Sequence, residues 1–212
     1  MIEIENLCKS FKNQSVLNGI NLSIGSDDKI ILLGQNGAGK TTLIRCILGE
    51  YFPDSGSVSV YGTKPYIKRE AALSHVSFVP QIPPPLNLTV NELLSYSSGL
   101  SDFDKNKVIE YCNILDFDIK PHLVKTFYKF SGGMKQKLLI AIAFARDTDF
   151  YIFDEPTANL DTAGREKFYI MLEKLMKGKS FIMISHRIDE VKNIVNRNIE
   201  LDLGRIVRDE KI

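Results

Sequence analysis

The chain has 212 residues, 44% hydrophobic and 25% charged, which is enough to fill the core of one large domain, or of a domain with a substantial insertion, and excludes a disordered protein. Lys and Arg number 27 against 26 Asp and Glu, and the net charge of +1 argues against a protein that coats nucleic acid. Cys8, Cys46 and Cys112 lie far apart and form no C-x-x-C, so buried thiols in a reducing compartment are expected rather than disulfides or a zinc site.

The opening MIEIENLCKS has no basic segment leading into an apolar one, so no signal peptide is expected. The longest apolar run, Leu138 to Ala145, falls far short of the roughly 20 residues of a membrane span, and a soluble cytoplasmic chain is expected. Period-two alternation in IEIENL and INLSI predicts antiparallel strands with one solvated face. KIILLG is continuously apolar and predicts a strand buried on both faces. KTTLIRCILGEYFPDSG then predicts a helix, with Leu43, Ile44, Ile47 and Leu48 as its apolar stripe and PDSG as its closing turn. SVSVYG is a further alternating strand and HVSFVPQ leads out of another, after which the prolines of IPPPLN forbid a regular element. From about residue 89 to 129 the pattern is helix and loop, opening on a capping box of Thr89 and Glu92. SGGMKQKLLIAIAFAR predicts a helix with Leu138, Leu139, Ile142 and Ala145 on one face. FYIF and SFIMIS read as strands, TAGREKFYIMLEKLMKGK and IDEVKNIVN as helices, and NIELDLGRIV as a hairpin around Gly204. The expected fold is α/β: a mostly parallel core, a small N-terminal antiparallel sheet and a helical insertion.

Residues 34–41 fit G-x-x-x-x-G-K-[ST], with Gly34, Gly39, Lys40 and Thr41 at the fixed positions and Asn36, Gly37 and Ala38 between them. In such a P-loop, successive backbone N–H groups wrap the β- and γ-phosphates and glycines allow the required angles. Lys40 adds a point charge, the Thr41 hydroxyl reaches magnesium, and Thr42 can donate to the α-phosphate. The context fits too, because an all-apolar strand precedes the motif and an amphipathic helix follows it. The pattern is read as a nucleotide site.

FYIFDEP ends a buried strand on two carboxylates. Alone, such a pair is more often a loop entrance; in a chain with a P-loop it reads as functional. Adjacent strand side chains point to opposite sides, so Asp154 and Glu155 take different parts: Asp154 can hold magnesium through its water shell, and Glu155 can orient or deprotonate the attacking water. Gln81 ends the strand HVSFVP, where it can reach magnesium or the water and can also hinge the insertion. His186 follows SFIMIS and could hydrogen-bond a γ-phosphate oxygen, whereas His75 and His122 read as structural.

Ser131-Gly132-Gly133 opens a helix with a serine N-cap, two small residues and the positive end of a helix dipole, a second place where an anion could sit. A plain cap is the simpler reading of this motif alone. The whole order, Phe11, GQNGAGKTT, Gln81, SGGMKQK, FYIFDEPTANLD and Ser185-His186, resembles the ATPase subunit of an ABC transporter, over essentially the entire chain. The resemblance implies an ATPase with ATP and Mg²⁺ as cofactors, on a P-loop NTPase core. It implies one domain over residues 1–212, with a helical subdomain at about 82–145 inserted in that core. It also implies head-to-tail pairing, with itself or with a similar ATPase subunit, so that Ser131, Gly132 and Gly133 cap a γ-phosphate held at the partner's Lys40. By the same resemblance Phe11 stacks on adenine, Asp161 belongs to the loop that links the two sites, His186 is the switch histidine and Glu155 the catalytic glutamate. Gln81 is the hinge of the part that docks on a polytopic membrane subunit, and the chain sits peripherally at the cytoplasmic face of the membrane. The signature departs from the commonest L-S-G-G-Q in Phe130 and Met134, but the serine and both glycines remain. The form of this run leans toward exporters whose membrane half is a separate chain, and no regulatory domain is expected after GRIVRDEKI. A soluble ABC ATPase acting on nucleic acid or ribosomes is the alternative. One P-loop, no sustained heptads and balanced charge count against it. A module that holds ATP without turnover fits poorly with an intact Glu155.

Overall fold

The computed structural model describes residues 1–12, 14–101 and 103–212, and the chain divides into two compact units, residues 1–76 with 178–212 and residues 77–177. In the first unit β1 (Ile2–Phe11) lies between β2 (Gln14–Ile24) and β4 (Ser55–Val60), antiparallel to both, as the alternation predicts. Ile2 and Ile4 are buried on one face, and Ile2 stands opposite both Ile24 and Val60.

β3 (Lys29–Leu33) runs parallel to both of its neighbours in this unit, β7 (Ser180–Ile184) and β8 (Arg197–Asp202). Ile30, Ile31 and Leu32 are all fully buried, which accounts for the absence of alternation in KIILL. β9 (Arg205–Lys211) folds back antiparallel on β8 through Leu203 and Gly204, whose φ angles of 43° and 75° give the mirror-image turn that suits a two-residue hairpin. Arg197 fastens this edge: its guanidinium donates to Asp28 at 2.8 Å and to both carboxylate oxygens of Asp209 at 2.7 Å. α1 (Lys40–Ile47) follows β3, with Leu43, Ile44 and Ile47 buried and Leu48 as its C-cap. Two short helices complete the unit, α2 (Arg69–Leu73) and α7 (Ile188–Val191). α7 is shorter than IDEVKNIVN suggests. Beyond its end the Asn196 side chain accepts from the Lys29 N–H and donates to the Asp27 carbonyl, both at 2.8 Å.

The second unit contains most of β5 (Val76–Val79), then α3 (Val90–Ser101), α4 (Lys105–Ile114), α5 (Gly132–Ala145), β6 (Phe150–Asp154) and α6 (Thr162–Leu175). The capping box forms as read: Glu92 accepts from the Thr89 N–H at 2.8 Å, and the Thr89 hydroxyl accepts from the Glu92 N–H at 3.2 Å. α3, α4 and α5 share a core that includes Leu94, Val108, Phe127, Leu138 and Ala141, the first four side chains contributing about 1.5–3 kcal/mol each. α5 departs from its expected single face. From Leu138 on, all but Leu139 are buried, because the run is apolar almost all round. His122 packs between Phe117 and Phe130, and in the first unit His75 lies against Tyr61, the structural places expected of both.

Candidate functional site

The glycines of the P-loop are held to shape by their neighbours. Gly34 has φ 141°, and a Cβ there would sit 2.2 Å from the Leu201 carbonyl oxygen. Gly39 has φ 106°, and its Cβ would meet the Val16 carbonyl oxygen and Leu17 at 2.9 Å. The Gly204 N–H donates to the Ala38 carbonyl at 3.1 Å, and the Ala38 N–H donates to Gln35 at 3.1 Å, closing the loop. Lys40 is buried with its ammonium folded back over the loop, donating to the Gly34 carbonyl at 2.6 Å and the Gln35 carbonyl at 3.0 Å. Since α1 begins at Lys40, the N–H groups of Lys40, Thr41 and Thr42 belong to its first turn, where no intrahelical acceptor exists. Asn36 and Gly37 are exposed on the same loop. A tight loop, a buried ammonium and a helix start together suit a polyphosphate.

His186 reaches this place through the sheet. Leu32 of β3 stands beside Ile184 of β7, so both strands deliver their C-terminal ends to one edge. Ser185 and His186 there line an open cavity of about 360 Å³ with Gly34, Gln35, Lys40 and Glu200. Thus Lys40 and His186, read separately from the sequence, face one cavity. Phe11, at the end of β1, meets Tyr51 edge-on with ring centroids 5.0 Å apart, and Lys9 lies 5.4 Å from its ring. Tyr51 in turn lies 5.7 Å from the Arg45 guanidinium of α1.

The remaining candidates belong to the second unit. Asp154 is buried as the last residue of β6. Glu155 is half-buried at φ 46°, a left-handed angle uncommon outside glycine. Glu155 thus lies just outside the strand whose pleating the sequence reading invoked: β6 ends at Asp154 and Glu155 occupies the turn that follows. Ser131 caps α5, its hydroxyl accepting from the Met134 N–H at 3.2 Å, and Gly132 and Gly133 form the first turn. Asp161 caps α6 by accepting from the Gly164 N–H at 2.9 Å. Ser131, Gly133, Lys137 and Asp161 line a second cavity of about 250 Å³. Gln81 is exposed two residues past β5 and offers its carbonyl to Asn159.

Tyr51, Glu200, Gln136 and Asn159 were not singled out from sequence. Gln136 could have been, as an amide two residues before a continuous apolar run. The other three have no local signal, since what places them is tertiary. The Thr41 hydroxyl is exposed in the first turn of α1, and a Mg²⁺ that keeps several waters and takes phosphate oxygens needs only one or two protein oxygens. Among the described residues no group of three or more His, Cys, Asp or Glu could hold a metal unaided.

The sequence model of a protein family described as "ABC transporter" matches residues 17–158. The chain belongs to the ABC transporter family. As an ABC ATPase chain it binds ATP and hydrolyses it. It is 31% identical to the Nod factor export ATP-binding protein I of Rhizobium sp. strain N33, over 96% of this chain and 68% of that one. It is 32% identical to the galactose/methyl galactoside import ATP-binding protein MglA of Treponema denticola, over 98% of this chain but 44% of that one. A solved ATP-binding subunit of an ABC transporter superposes with a TM-score of 0.87 at 25% identity, covering all of this chain and 90% of that one. No helix among the described residues is long and apolar enough to cross a membrane.

Proposed function

We propose that this ABC ATPase is a motor subunit: ATP binding closes a head-to-tail pair, hydrolysis reopens it, and a separate membrane chain follows the motion. In this reading residues 1–212 act as one ATPase domain, with the helical piece at about 82–145 as its docking part. The observation that carries it is the pairing of a complete phosphate cradle in one unit with a capped Ser131–Gly133 helix start in the other. Each anion site alone is half of what an enclosed nucleotide needs, and two copies supply two whole ones.

The loop amides and Lys40 bind the phosphates in the open chain. Phe11 offers the face of its ring to the base. Glu155, held at its left-handed angle, accepts the proton of the attacking water, and His186 donates to the γ-phosphate as charge develops. A magnesium ion, when bound, neutralises phosphate charge; Thr41, Asp154 and Gln81 are the side chains assigned to hold it or its waters. Ser131, Gly132 and Gly133 close the site from the other copy, and Asp161 orders the loop that joins the two halves. Relatives of nearly equal similarity are named for export and for import. Direction is accordingly assigned to the membrane partner, and the export expectation is carried no further.

The test is to tag the Glu155→Gln chain, solubilise native membranes in MgATP and identify what copurifies. A polytopic membrane protein in two-to-two ratio supports the motor. RNA or ribosomal protein as the only catch would overturn it in favour of a soluble ABC ATPase.

A further inference from the structure

Asn159 lies two residues before Asp161, and nothing in its spacing gives it a part. In the structure it touches both elements on which the second half of the site depends. Its side-chain nitrogen donates to the Gln81 carbonyl at 3.2 Å. Its side-chain oxygen lies 3.6 Å from where a Cβ on Gly132 would be, and its backbone carbonyl oxygen lies 3.0 Å from where a Cβ on Gly133 would be. One residue before Gln81, the Pro80 carbonyl accepts from the Gln136 side chain at 3.2 Å, and Gln136 is fully buried in α5. Two successive carbonyls are thus held by amide side chains, one from the helix that Ser131 caps and one from the loop leading to Asp161.

The Gln81 segment has few other means of being held. Pro80, Pro83, Pro84 and Pro85 donate no N–H, and no strand or helix continues past Val79 until Val90. Where the backbone cannot pair with itself, side-chain amides decide where it lies. The glycines of the signature have a matching constraint: Gly133 is small because the Asn159 carbonyl comes close, whatever anion is bound.

We propose that Asn159 is a positioning residue that holds Gln81 in register with the Ser131–Gly133 turn, with Gln136 fixing the preceding carbonyl. The inference rests on the reading of Gln81 and Ser131–Gly133 as parts of the ATP site. It predicts that a disturbance at either element is felt at the other within the same copy, through one side chain.

The test uses the full chain with Asn159→Ala and Asn159→Asp, the second keeping the size and losing the donor. Loss of one exposed hydrogen bond corresponds to about a fivefold change, so amide exchange at Gln81 and Ile82 should quicken by about that factor while the melting temperature holds. The kcat for ATP should fall about fivefold, with KM changed less than about twofold, because the ground-state phosphate contacts belong to the P-loop. Combining Asn159→Ala with Gln81→Ala should cost no more than Gln81→Ala alone. Additive losses, or unchanged exchange at Gln81 in a chain that Gln81→Ala does slow, would overturn this inference alone. An unchanged kcat in Gln81→Ala would remove the role of Gln81 and this inference with it.

Discussion

Gly34 and Gly37 both have positive φ, but only Gly34 meets a neighbour: its Cβ would overlap the Leu201 carbonyl oxygen, while around Gly37 there is open space. The two substitutions therefore separate backbone strain from steric collision. Gly37→Ala pays only the left-handed penalty, about 1–2 kcal/mol. Gly34→Ala must move β8 or the loop and should cost more than about 3 kcal/mol, near the upper end for single substitutions. Urea denaturation at equilibrium checks both, and equal costs at the two positions would show that the contact with β8 does not constrain the loop. At the same scale, burial pushes the Cys46 thiol up to about 11 and the Cys112 thiol to about 12. A thiol reagent at pH 8 should therefore modify one cysteine quickly, the half-buried Cys8, and the other two only on unfolding. Two fast thiols would contradict this.

α3 starts at a reciprocal pair of bonds between Thr89 and Glu92, so Thr89→Ala should destabilise the second unit by about 1–2 kcal/mol, read as a lower urea midpoint with unchanged slope. This element was legible because its cap is local: threonine and glutamate three apart, just before an apolar run. The P-loop and the hairpin at Gly204 were legible for the same reason, since each is dictated by residues a few positions apart. Elements governed by distant contacts were not. α7 ends at Val191, and the chain then runs to Asn196, which bonds to Asp27 and Lys29, more than 160 residues away in sequence. The five residues of α2 are too few to show a period. Among candidate site residues, Lys40 is marked by the spacing of its motif and His186 by its place after a strand pattern. The left-handed turn at Glu155 and the bonds of Asn159 leave no mark on spacing, because they express what packs around them.

At the scale of the whole molecule, the proposed pairing completes one copy's phosphate cradle with another copy's Ser131–Gly133 turn. Each of the two cavities, of about 360 and 250 Å³, is open to solvent on one side, so a ligand in either would keep an exposed face. ATP is then the cement between copies, and a chain that binds it without hydrolysing it should stay paired. The decisive measurement is sedimentation of the Glu155→Gln chain with and without MgATP, beside Glu155→Gln with Ser131→Arg. A dimer is expected only with MgATP, and a monomer for the Ser131→Arg variant although its P-loop still binds a fluorescent ATP analogue. A Glu155→Gln chain that binds ATP and remains monomeric would contradict it.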